Sequence, residues 1–91
     1  MELLVVDDET TQRRMLAEYL EGRGHAVRQA GAAEEALSLI ETLRPDLVLT
    51  DVRLPGADGV ELIRRARGAG LPGEFLVMTA FGTIENAVAA M

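Results

Sequence analysis

The 91-residue sequence contains no cysteine, no tryptophan and no lysine. Without cysteine there are no disulfide staples, thiolate zinc sites or cysteine nucleophiles, a composition compatible with a reducing cytoplasm, where the chain is expected to reside. All nine bases are arginine, so no role that needs an ammonium side chain can be filled within these residues. One Tyr and two Phe are the only aromatics, which leaves Leu, Val, Ile, Ala and Met to build any core. No apolar run exceeds four or five residues, too short to span a bilayer. The opening Met1-Glu2-Leu3 lacks the basic segment and long apolar run of a secretory signal. Fifteen acids against nine bases give a net charge of −6, which argues against direct contact with nucleic acid or with an anionic membrane.

What is present suits one small α/β domain, with 48% apolar residues available for its interior. Short apolar runs at Leu3 to Val6, Ala26 to Ala30, Leu47 to Thr50 and Glu74 to Met78 read as strands, and three of them are apolar on both faces, as in a buried parallel sheet. Between them lie segments of helical period. Met15, Leu16, Tyr19 and Leu20 form one face, Ala36, Leu37, Ile40 and Leu43 a second, and Val60, Ile63 and Ala66 a third. Asp58 followed by Glu61 reads as a capping box, and Thr83 as the cap of a fourth helix with the face Ile84, Ala87, Val88 and Met91. Strand and helix alternate four times, which predicts a doubly wound parallel sheet with right-handed crossovers. The apolar pattern is still running at Met91, so further residues are expected beyond it in a longer parent.

In such a sheet, ligands bind beyond the carboxyl ends of the strands, near the point where strand order reverses. The first strand runs into Asp7-Asp8-Glu9 and the third into Asp51. If those strands are neighbours, Asp7, Asp8 and Asp51 converge. Any one of these acids alone reads as a solvated turn. Together, their repulsion would be offset by a divalent cation, and an all-oxygen donor set completed by water and phosphate oxygens suits Mg2+.

Val5-Val6-Asp7-Asp8-Glu9, Leu47 through Gly56, Asp58-Gly59 and Leu76-Val77-Met78-Thr79-Ala80 together resemble the receiver domain of two-component response regulators, over the whole chain. The resemblance implies a flavodoxin-like fold, with four of its usual five strand-helix units present. It implies that Asp51 is the phosphoacceptor, and that Asp7, Asp8, Asp51 and the backbone carbonyl of Arg53 hold Mg2+. Thr79 would be the switch hydroxyl, and Ala80 the small neighbour that leaves it room. A sensor histidine kinase would be the donor and an output domain outside this sequence the target, the chain acting as a switch rather than an enzyme. Receivers also carry a lysine at the end of a fifth strand, and these 91 residues contain none. The stretch Thr79 to Val88 resembles receivers attached to enhancer-binding transcription activators. Without a fifth strand, the fourth is expected to be an open edge through which, with the fourth helix, two copies could pair.

The remaining residues have plainer readings. His25 lies at a strand entrance away from the acids, Arg13 and Arg14 on a charged helix face, and Arg64, Arg65 and Arg67 on a solvated one. Two other functions stay open at this point. A haloacid-dehalogenase-like phosphohydrolase would match Asp7-Asp8-Glu9-Thr10-Thr11, with Glu in place of its second Asp, and would turn over a phosphate ester. A receiver-shaped docking module would work without phosphorylation and would show no Mg2+ affinity.

Overall fold

The computed structural model describes residues 1–78 and 84–86. Strands β1 (Glu2–Val6), β2 (Ala26–Ala30), β3 (Leu47–Asp51) and β6 (Glu74–Met78) alternate with helices α1 (Thr10–Gly22), α2 (Ala33–Leu43) and α3 (Gly59–Gly68). Two short strands, β4 (Arg53–Leu54) and β5 (Ala57–Asp58), follow β3, and β7 (Ile84–Asn86) comes last. The main sheet has the order β2-β1-β3-β6-β7, and β4 and β5 form a separate pair. Its first four strands are parallel. The expected doubly wound parallel sheet is therefore the observed one, with strand order reversing at β1 and β3.

Parallel register divides the side chains between two faces. Leu4, Val6, Val48, Phe75 and Val77 are buried with Ala33, Ala36 and Ile40 of α2 and Leu62, Ile63 and Ala66 of α3 in one aliphatic cluster. Leu3, Val5 and Leu49 alternate with these residues and so point to the opposite face, where α1 packs against β1 and β2.

Helix α1 is rotated from the face its larger apolar residues suggest. Ala17 is its buried residue, Leu16, Leu20 and Arg13 are half-buried, and Met15 and Tyr19 are 66% and 60% exposed. Positions 13, 16, 17 and 20 form an i, i+3, i+4, i+7 stripe. The small Ala17 lets the helix approach the sheet closely, while Arg13 reaches across to β2, its Nε donating to Gln29 Oε1 at 3.2 Å.

The expected fourth helix is also corrected. Ile84–Asn86 is a strand, antiparallel to β6 in the register Leu76↔Asn86, Val77↔Glu85 and Met78↔Ile84. The other residues assigned to that helix, Thr83, Ala87, Val88 and Met91, lie outside the described residues. An unpaired row of N–H and C=O groups on β6 is a template for any extended segment, and Ile84 is β-branched, so edge pairing overrides helical period here. Over Leu76 to Met78 the outer edge of β6 is accordingly occupied rather than open.

Of the three basic residues of α3, Arg64 stays on the solvated face, while Arg65 and Arg67 are tied. Arg65 Nη2 lies 2.7 Å from Glu34 Oε1 on α2. Arg67 sits over the Phe75 ring, 4.9 Å from its centroid, and donates to Gly73 O at 3.0 Å. No helix among the described residues is long and apolar enough to cross a membrane.

Candidate functional site

The register that pairs Val6 with Thr50 puts the next residues, Asp7 and Asp51, side by side at the carboxyl end of the sheet. Asp7 is only 5% exposed, Asp51 is half-buried and Asp8 is exposed. One ligand oxygen from each of Asp7, Asp8 and Asp51 lies within 4.8 Å of the others. The three acids singled out from the strand ends are thus brought together.

The backbone around them is closely held. The Asp7 amide donates to Ala30 O at 3.1 Å and continues the β1–β2 ladder past the end of β1. Arg13 Nη1 donates to Asp7 O at 3.0 Å, and the Glu9 amide donates to Asp7 Oδ1 at 2.9 Å. Glu9 caps α1, its carboxylate accepting from the Thr11 amide at 3.1 Å and the Gln12 amide at 3.5 Å. Neither the Arg13 tie nor the Glu9 cap was expected from the sequence, where Arg13 read as a solvent-facing charge. A glutamate three residues ahead of Gln12 is the one local sign of the cap; the Arg13 contact is tertiary and has no sequence signal.

Burial pushes the Asp7 carboxyl above its ordinary range. The Glu9 amide opposes this, and the neighbouring charges of Asp51, Asp8 and Glu9 add to the rise. Such a cluster holds negative charge at an energetic disadvantage that a cation would relieve. The donors are all carboxylate oxygens, and one of them is exposed to water, which fits Mg2+ with its retained waters.

Behind Asp51 the chain turns through β4 and β5, with Arg53 opposite Asp58. Pro55-Gly56 forms the turn, Gly56 taking φ +78° as the third position of a type II turn requires. Asp58 then caps α3, its Oδ1 accepting from the Glu61 amide at 2.7 Å. The hairpin was missed by periodicity because its strands are two residues long, although Pro-Gly is a legible turn signal. Arg53 is exposed on β4. Thr79 and Ala80 lie outside the described residues. His25 is half-buried with Nδ1 unpartnered, and it belongs to the α1–β2 connection rather than to the carboxyl ends of the strands.

A parallel sheet in this order, with an acidic cluster at its switch point, defines a flavodoxin-like domain whose candidate site lies beyond the carboxyl ends of β1 and β3. The family comparison is specific: the response regulator receiver domain matches residues 3–91, and the chain belongs to that family. It is 35% identical over 83 residues to sporulation initiation phosphotransferase F of Bacillus subtilis, covering 91% of this chain and 67% of that protein. Response regulator MprA of Mycolicibacterium vanbaalenii is 39% identical over 89 residues, 98% of this chain but 38% of that protein. Among solved structures, response regulator TrrA of Thermotoga maritima in complex with Mg2+–BeF superposes with a TM-score of 0.80 at 34% identity, over 87% of this chain and 69% of that one. The chain is therefore the receiver domain of a response regulator, a phosphorylation-dependent signalling switch.

Proposed function

We propose that Asp51 accepts a phosphoryl group from the phosphohistidine of a sensor histidine kinase, with Mg2+ held by Asp7, Asp8, Asp51 and the backbone carbonyl of Arg53. The observation that carries this reading is the convergence of the three carboxylates within 4.8 Å at the switch point of the sheet. In the transfer, an Asp51 carboxylate oxygen forms the new bond to phosphorus, the bond from phosphorus to the donor nitrogen breaks, and that nitrogen keeps the electron pair. Bound Mg2+ would supply positive charge for the transferring oxygens, so that most of the catalysis is positioning and electrostatics. Asp7, fixed by the Glu9 amide and the Arg13 guanidinium, provides the rigid side of the site, and exposed Asp8 provides its solvent side.

Thr79 is proposed as the hydroxyl that turns toward the phosphoryl group, and Ala80 as the small residue that leaves it room. The signal then passes to an output domain outside these residues, in keeping with the 38% share of MprA that the chain spans. Resemblance of Thr79 to Val88 to enhancer-binding activators points to transcription as that output, in the cytoplasm. Pairing of two copies through β6 would require β7 to be displaced first.

Intact-mass measurement after incubation with acetyl phosphate tests the assignment. Wild type with Mg2+ is expected to gain one phosphoryl group, and wild type with chelator and Asp51→Asn with Mg2+ to gain none. Equal labelling of wild type and Asp51→Asn would overturn it, and continuous phosphate release with no stoichiometric adduct would favour a phosphohydrolase.

A further inference from the structure

The direction of the Asp51 carboxylate depends on how its own backbone is held. That backbone is gripped from behind. The buried Thr50 hydroxyl donates to Asp51 O at 3.0 Å. Gly59 Cα packs against the same oxygen: a Cβ at that position would collide with Asp51 O and meet Thr50 Cγ2 at 3.1 Å and the Asp51 carbonyl carbon at 3.2 Å. The Gly59 amide donates to Val52 O at 2.7 Å, and the Val52 amide donates to Met78 O at 3.1 Å. Gly59 is not among the positive-φ glycines, so space rather than backbone freedom requires glycine here.

We infer that Thr50 and Gly59 are positioning residues for Asp51, which brace the two peptides after it and thereby aim its carboxylate at the cation and the incoming phosphorus. The inference rests on the reading of Asp51 as phosphoacceptor. Two successive carbonyls are held by one side chain and one helix start, and the hairpin bearing Arg53 runs from the second of them to Gly59. Because α3 begins at Gly59, the first turn of that helix is coupled to the phosphoacceptor through backbone alone. A larger residue at 59 would have to move either α3 or the Asp51 peptide, and α3 is anchored by the fully buried Leu62, Ile63 and Ala66. The peptide is the part that yields.

Displacement by a fraction of an ångström to one ångström slows an in-line transfer by about 10- to 100-fold without unfolding the domain. The test compares Gly59→Ala, Thr50→Val and Thr50→Ser with wild type, at a temperature where circular dichroism shows each to be folded. Two quantities are read: the rate constant of labelling by acetyl phosphate at saturating Mg2+, and the Kd for Mg2+ from calorimetric titration. Gly59→Ala and Thr50→Val, the latter keeping shape but losing the donor, are expected to label at least about 10-fold more slowly, while Thr50→Ser stays within about 3-fold of wild type.

A structural role alone would lower melting temperatures and leave both readouts unchanged in the folded variants. A folded Thr50→Val that labels at the wild-type rate, or a Thr50→Ser as slow as Thr50→Val, would overturn the inference. If Gly59→Ala does not fold, the Thr50 pair decides. Failure of wild type itself to label would count against the phosphoacceptor reading. The positioning inference would then stand on a Mg2+ Kd weakened at least about 3-fold in Thr50→Val but not in Thr50→Ser, and would fall if that Kd were unchanged.

Discussion

Asp7 concentrates the electrostatic conflict of the site: it is buried, it faces two other carboxylates, and its carboxyl is raised chiefly by burial. An acid whose folded pKa lies above its unfolded value contributes stability that is complete below the unfolded value and is lost as pH rises through the folded one. At neutral pH the ionised Asp7 therefore destabilises the metal-free fold. Asp7→Asn removes the charge and keeps an oxygen for the Glu9 amide, so it is expected to raise metal-free stability at pH 7 by about 1 kcal/mol while weakening Mg2+ binding. Urea melts with and without Mg2+ check this, and a metal-free loss of stability would show Asp7 to be structural. At this scale the three acids were legible because two strands run directly into them. Arg13 and Gly59 were not: the contact of Arg13 with Asp7 O and the closeness of Gly59 to Asp51 O exist only once α1 and α3 are docked.

Helix α3 shows how far an element can be read from local chemistry. Asp58 and Glu61 stand at capping-box spacing, and Asp58 does cap the helix, while Leu62, Ile63 and Ala66 form its buried face. Of these, Leu62 escaped the pattern of Val60, Ile63 and Ala66, because neighbouring positions 62 and 63 can share a broad apolar stripe only when the helix is covered by more than one partner, here α2 and the sheet. Asp58→Ala is expected to cost about 1 kcal/mol in a chemical melt, the usual cost of losing an N-cap, and a change within about 0.3 kcal/mol would mean that water replaces the cap without loss. Helix α1 shows the opposite case. Helical period suggested a face of Met15, Leu16, Tyr19 and Leu20, but docking centred on Ala17, keeping Leu16 and Leu20 half-buried and leaving Met15 and Tyr19 outside, where Arg23 lies over the Tyr19 ring at 5.7 Å. Likewise β7 could not be read from helical period, since the edge of β6 that recruits it is a property of the sheet.

For the molecule as a whole, the parallel order β2-β1-β3-β6 places the acids of β1 and β3 in one cluster, and so couples the stability of the entire sheet to what that cluster binds. The unfolded chain brings Asp7 and Asp51 together only at the entropic cost of closing a long loop, so Mg2+ held as proposed would bind the folded state preferentially and would stabilise it by mass action. At a Mg2+ concentration about 100 times Kd the gain is about 2.7 kcal/mol. For a domain of this size each kcal/mol moves the melting temperature by about 4–8 °C, so the midpoint should rise by roughly 10–20 °C. NaCl at matched ionic strength screens the acidic repulsion without coordinating, and should reproduce only a small part of that shift. Asp51→Asn should keep the NaCl response and lose most of the Mg2+ response, because it removes one of the three carboxylates and leaves the rest of the acidic surface intact. Scanning calorimetry on the two proteins in both salts separates these contributions. If NaCl matched Mg2+ in wild type, the cluster would be an acidic surface relieved by screening alone, and the assignment of a metal centre to Asp7, Asp8 and Asp51 would fail.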